Sequence, residues 1–291
     1  MAGKWIAFLL LTAFSLCGCS RLNRLPSSTG QPYEVVLEGD TDSIVTRMLT
    51  NEVSYLPQPE PMFNLIQVKK GKTTSLYQMV RNRVVVDVDG RNAGFSVKVG
   101  KGAYAQPQCI IYIKAQTVEQ LKNRLEGEKL CRILDEQELK HMASVINQNT
   151  EKQKEIKRHF GIVIKIPRDM DASKKGKDFL WLSNNASSGM KNLLVFKVSN
   201  KTEIDSVLRQ NMLGEIDGMY MQLASVVPQN SRLELQFGLW EMKGDAMGGP
   251  YVMRILPRGK EQVVVVGFVY APEMKKRNLM KQLEAVLTTI K

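Results

Sequence analysis

The sequence predicts an α+β protein with two similar antiparallel-sheet-plus-helix halves packed into one compact body. Short β-branched runs, such as Val84-Val85-Val86 and Val263-Val264-Val265-Val266, alternate with segments of helical apolar spacing. The order of these segments in the first half is echoed in the second, which suggests an internal duplication. Hydrophobic residues make up 43% of the chain and charged residues 24%, the balance of a globular protein with a real core.

Residues 33–37 read as a first strand, through Tyr33, Val35, Val36 and Leu37. Asp40 and Asp42 offer N-caps for a helix carrying Ile44, Val45, Met48 and Leu49. Pro57, Pro59 and Pro61 end it, because proline lacks the backbone donor. Residues 63–68 and 83–88 are strands; Asp89-Gly90 is a turn signal that would pair the second of them with residues 95–99. Residues 109–113 form a strong strand. Thr117 and Gln120 form a capping box for a helix that Gly127 interrupts. A longer helix is expected from about 135 to 160, capped by Gly161. Its polar stretch 147–157 would bridge two parts of the molecule across solvent.

In the second half, residues 160–166, 191–198 and 262–269 echo the strands at 63–68, 81–88 and 108–113. A helix is expected near 201–215 and a strand at 251–256. The last helix would start near Pro272 and carry Leu279, Leu283, Val286, Leu287 and Ile290 on one face. The expected divisions are a signal segment at 1–18, a tether at 19–32, a first half at 33–150 and a second at 151–291.

The N-terminus has the layout of a secretory signal: Lys4, an apolar run from Trp5 to Leu16, then small residues. That run would make a helix of ~18 Å, short of the ~30 Å hydrocarbon core. Leu16-Cys17-Gly18-Cys19 resembles a bacterial lipobox. Cleavage before Cys19 would make it the acylated N-terminus and leave 273 residues, 291 minus 18. Stable anchoring follows from two or three acyl chains, at ~0.8 kcal/mol per buried CH₂. Residues 20–32 are polar, with two prolines, and read as a tether. Ser20 after the cysteine and the absence of an acidic cluster there point to the outer membrane, facing the periplasm.

The net charge of +12 suits anionic lipid or glycan. The basic residues are spread along the chain, however, and no nucleic-acid-binding module accompanies them. Cys109 and Cys131 remain beside Cys19 in the mature region; an oxidising compartment permits their pairing, and two separate buried thiols fit equally.

Signatures for a nucleophile elbow, a phosphate loop, a dinucleotide fold or a zinc protease are absent. The only histidines, His141 and His159, would lie ~27 Å apart on one helix face, too far for one metal. No cofactor is expected. The densest unusual segment runs from 237 to 251, where Trp240, Glu241, Lys243, Asp245 and Tyr251 surround three glycines. Glycines permit close backbone approach, and two carboxylates near aromatics could serve a sugar or a cation. Core packing of Trp240 before a strand is the competing interpretation.

Residues 26–32, 56–63, 81–82, 104–108 and 240–251 resemble, in order, the landmarks of an uncharacterised lipoprotein family of Bacteroides-type bacteria, domain of unknown function 4837. The resemblance implies an envelope lipoprotein and supplies no catalytic residue. The expected function is non-enzymatic binding or scaffolding of an envelope protein or glycan, anchored to the membrane through Cys19. Two alternatives are a glycan hydrolase using Glu241 and Asp245, and a basic module contacting anionic lipid or glycan.

Overall fold

The structure, a computed structural model, describes residues 25–227 and 234–291; the Leu16–Cys19 motif lies outside them. In chain order the first part holds β1 (Glu34–Glu38), α1 (Ile44–Leu49), β2 (Asn64–Val68), α2 (Ser75–Gln78), β3 (Asn82–Val88), β4 (Ser96–Lys101), β5 (Cys109–Ala115), α3 (Val118–Arg124) and α4 (Gly127–Ser144). The second part follows with α5 (Thr150–Phe160), β6 (Ala172–Lys175), β7 (Phe179–Ser183), β8 (Met190–Val198), α6 (Ile204–Asn211), β9 (Tyr220–Val227), β10 (Gln236–Lys243), β11 (Gly248–Arg258), β12 (Glu261–Tyr270) and α7 (Arg277–Thr288). The α+β class and the two sheet-and-helix halves are as expected, but the expected antiparallel pairing holds throughout only in the second sheet.

The first sheet has the order β2-β1-β3-β5-β4. Its first three ladders are parallel, and only β4 runs antiparallel, against β5. The expected hairpin between β3 and the segment at 95–99 therefore does not form. β3 already has β1 and β5 on its two edges, so β4 takes the free edge of β5, with Val97 opposite Ile113 and Val99 opposite Ile111. Asp89 instead closes a local turn by accepting from the Arg91 amide at 3.0 Å.

The second sheet, β6-β7-β8-β12-β11-β10-β9, is antiparallel throughout. The two sheets thus differ in strand order and direction, and the duplication is not confirmed.

Helices α1, α3 and α4 cover one face of the first sheet, on a core of Val35, Leu37, Val84, Val86, Ile111 and Ile113. Helices α5 and α7 cover one face of the second, on Leu180, Leu193, Val195, Val263 and Val265. The other face of the second sheet packs Phe196, Val264, Val266 and Phe268 under α6. Helices α4 and α7 pack against each other, so the layers run sheet, helices, helices, sheet.

The expected helix over 135–160 is two helices. The chain breaks at 145–149, where Asn149 caps α5 by accepting from the Lys152 amide at 3.2 Å. The break is held from outside: Arg168 donates its amide to Asn147 O at 2.8 Å, and Asn149 donates to Ile166 O at 2.8 Å. The two histidines consequently sit on different helices. α5 is also less polar than expected, for it buries Ile156 and Phe160, and Gly161 caps it with φ 69°.

Residues 160–166 are not a strand, although Ile162, Ile164 and Ile166 are buried. α7 begins at Arg277, five residues after Pro272. The described end of the expected tether is not loose: Thr29 donates to Met79 O and accepts from the Arg81 amide, both at 2.9 Å, and Ser28 donates to Gln106 O at 3.1 Å. Among the described residues no helix is long and apolar enough to cross a membrane.

Candidate functional site

The two bodies meet at a seam built by α4, α7 and the segment 51–62. That segment leaves the first sheet and delivers Val53 and Tyr55 into the core of the second body, where Tyr55 stacks on Phe237 at 4.5 Å. Its Glu60 is buried and accepts from the amides of Lys276 (2.6 Å) and Arg277 (3.1 Å). A carboxylate there satisfies two donors at the start of α7 and complements its dipole. Arg277 returns the contact by donating to Pro61 O at 2.5 Å.

One turn along α7, Lys281 is buried and donates to Asp135 of α4 at 2.8 Å, while the Tyr33 hydroxyl donates to the same oxygen at 2.5 Å. Glu284 Oε2 lies 2.9 Å from the Lys281 ammonium. The Lys281 ammonium and the Arg277 guanidinium sit 5.3 and 5.7 Å from the Tyr33 ring centre. Burial pulls the Lys281 ammonium down, but Glu284, Tyr33, Tyr55 and Asp135 hold its pKa well above the lysine value. Burial pushes Glu284 up to about 6 against the pull of Lys281, and burial also raises Tyr33 well above the tyrosine value.

A second buried network lies further along α4. Glu138 is fully buried, accepts from Arg81 Nε at 2.7 Å and also takes the Asn82 side-chain amide. These groups lock α4 to the start of β3, beside the strap at residues 28–31.

Beyond Glu138 the helix opens onto a cleft of about 490 Å³. Met142 and Ile146 form one wall, and Leu283, Ala285 and Val286 of α7 another, with Met170 and Pro167 closing it. Its polar groups are few and placed. Lys191, with a side chain only 12% exposed, donates to Asp169 at 3.0 Å and to Gln282 at 2.9 Å. Arg168 and Asn147 complete the rim. An apolar interior with a few fixed polar groups suits a small ligand that has an apolar body. Among the described residues no cluster of His, Cys, Asp and Glu could hold a metal ion.

The segment singled out at 237–251 has a different character. Trp240 is 3% exposed and donates to Val269 O at 3.1 Å, with Phe268 edge-on at 5.0 Å. Tyr251 is buried, donates to Ser225 O at 3.2 Å, and has its pKa raised by burial to about 12. Strand alternation turns Glu241 and Lys243 to the opposite, exposed side of β10 from Trp240 and Met242. Glu241 accepts from Gln222 at 2.6 Å across the ladder, and Asp245 accepts from the Ala246 amide at 2.6 Å in the turn. The structure therefore brings Trp240 and Tyr251 into one core and holds each carboxylate in a separate local contact.

The glycines serve close packing. A Cβ at Gly249 would stand 2.2 Å from Val269 O, and one at Gly238 would stand 1.9 Å from Ser225 O. Cys109 and Cys131 are free thiols, each raised by burial to about 11. Cys19 lies outside the described residues.

The cleft residues were not singled out in the sequence, because the cleft exists only where the helix breaks. Asn149, a good N-cap residue within a polar run, is the signal that could have located that break.

Fold and site define an α+β protein of two sheet-and-helix bodies joined at a buried polar seam, with an apolar cleft beside it. Residues 149–289 match the family model described as domain of unknown function DUF4837. Residues 28–147 match a second model, domain of unknown function DUF8532. Of the landmarks that carried the resemblance, only 240–251 falls in the DUF4837 match; those from 56 to 108 fall in the DUF8532 match, and 26–32 straddles its start. No curated protein and no solved structure matches the chain.

Proposed function

We propose that this protein is a lipid-anchored binding protein of the cell envelope, held to the outer membrane by acyl chains on Cys19 and facing the periplasm. The cleft between α4 and α7 is its binding site, and the ligand is small with an apolar body. The supporting observation is the cleft itself: an apolar interior beside a rigid seam, with Lys191 fixed at its edge by Asp169 and Gln282. A preformed site on packed helices needs little reordering to bind.

Native mass spectrometry of protein isolated gently from envelopes tests the binding site. A co-purifying small molecule is expected on the wild type and not on the Met142→Trp, Ile146→Trp double variant, whose indoles would fill the cleft. Equal occupancy in both, with unchanged melting, would sink the assignment. The anchor is tested separately on the mature N-terminus: acylated Cys19 is expected, and an unmodified Cys19 or cleavage elsewhere would refute it.

A further inference from the structure

The helices α1, α3 and α4 all lie on one face of the first sheet. Its opposite face carries Val36, Glu38, Arg83, Ile110 and Tyr112, and is the outermost layer of that body. Two loops cross it, and the strap at 28–31 bonds to both. The segment 71–80 is pinned by Glu38, which accepts from the Gly71 amide at 2.8 Å and from the Thr73 hydroxyl. The loop 102–107 lays Tyr104 over the Arg83 guanidinium at 5.5 Å. Gln108 ties the two together, donating to Gln78 O at 2.6 Å and accepting from the Tyr104 amide at 3.0 Å.

The exposed surface of this layer is apolar and cationic. Leu76 is 65% exposed, Tyr104 42% and Tyr112 37%. Lys98 stands directly opposite Tyr112 in the β4–β5 ladder and so shares its face. Lys101, at the end of β4, stands opposite Cys109 and so lies on the helix side. Lys98 forms no ion pair with another described residue. No Asp or Glu occurs in residues 1–33, 61–86 or 90–118, the segments that supply this layer and the chain leading to it. Of the carboxylates on it, Glu38 is held by Arg83 at 3.5 Å and Asp87 by Lys70 and Lys114, and Glu34 is half-buried at the start of β1.

The chain arrives at this same layer. Leu25 reaches Gly102, where an added Cβ would lie 3.6 Å from its Cδ1. Cys19 is six residues earlier, and six extended residues span about 20 Å at most. Arg21 and Arg24 lie within that span.

We propose that the helix-free face of the first sheet, with Leu76, Tyr104, Tyr112 and Lys98, rests on the anionic phospholipid surface to which Cys19 is anchored. The inference rests on the acylation of Cys19 proposed above. A short lead brings the face within reach of the leaflet. A lysine without an internal partner is drawn to lipid phosphate, and tyrosines suit the headgroup level.

Vesicle flotation of residues 19–291 carrying Cys19→Ser isolates the face from the acyl chains. Binding is expected to phosphatidylglycerol-containing vesicles and not to phosphatidylcholine alone, and it should weaken as salt rises. Lys98→Glu is expected to weaken binding at least ~5-fold, since a cation near the surface carries roughly a kilocalorie of attraction. Lys154→Glu on α5 makes the same change in net charge and should leave binding within about 2-fold. Leu76→Ser with Tyr104→Ser should also weaken it. Equal loss from the two lysine variants, or no preference for anionic vesicles, overturns the proposal. Acylated Cys19 with a face indifferent to vesicles refutes this inference alone. Vesicle binding with an unmodified Cys19 refutes the anchor and supports the face.

Discussion

Gly249 and Trp240 stand opposite each other in the β10–β11 ladder, and each explains the other. The indole reaches across the glycine to Val269 O, and a Cβ at Gly249 would lie 3.1 Å from its Nε1 as well as 2.2 Å from that carbonyl. Gly249→Ala and Gly238→Ala are each expected to lose about 3 kcal/mol or more, because backbone carbonyls cannot yield as a flexible side chain does. Trp240→Ala should lose roughly 3–5 kcal/mol through the cavity it leaves. Urea unfolding midpoints check all three; a near-neutral Gly249→Ala would contradict the packing account. In the sequence, a glycine that admits a close strand looks the same as one that admits a ligand. Only the partner across the ladder separates the two uses, and that partner is remote in the chain.

At the level of elements, strands and helices with strong local patterns were legible: β1, α1, β2, β3, β5, β8 and β12 lie within a residue or two of where periodicity puts them. Pairing was not. The runs in β3 and β12 look alike because both strands are buried on two faces, yet β3 is parallel to its neighbours and β12 antiparallel. The helix break at 145–149 was hidden because contacts from 166–168 fix it. Two substitutions test these ends. Asn149→Ala should reduce stability by about 1 kcal/mol, the usual loss of an N-cap. Glu60→Ala should reduce it by ~2 kcal/mol or more, since two buried amides at the start of α7 lose their acceptor. Equal, small effects from both would mean that Glu60 is not the tie between the bodies that its contacts imply.

For the whole molecule the seam dominates. Lys281 stands between Asp135 and Glu284, so Lys281→Ala leaves the buried Glu284 and the half-buried Asp135 without their shared cation. A loss of about 3–5 kcal/mol is expected from thermal or urea unfolding. The seam also sets a pH dependence. Burial raises the folded-state pKa of Glu284 from 4.5 to about 6, so the folded protein binds this proton more tightly than the unfolded chain. Its contribution is therefore most favourable below pH 4.5 and declines as pH rises toward about 6. Glu284→Gln should remove that decline; urea midpoints for both proteins across pH 4.5–7 would show parallel curves if the group did not matter. None of this was visible in the sequence, where Asp135, Lys281 and Glu284 look like ordinary charges on amphipathic helices.

The position of α7 in the chain has a consequence for how the protein is made. Glu60 meets its partners 216 residues later, and Asp135 meets Lys281 146 residues later. Synthesis proceeds from the N-terminus, so the first body is complete while its seam partners do not yet exist. Until α7 arrives, Asp135 lacks Lys281, and the apolar flank of α4 stays wet. The first sheet can assemble early, but the final helix decides when the molecule closes. A chain that stalls or is cut before residue 277 carries an open, solvent-filled joint, the kind of surface that proteases and chaperones engage.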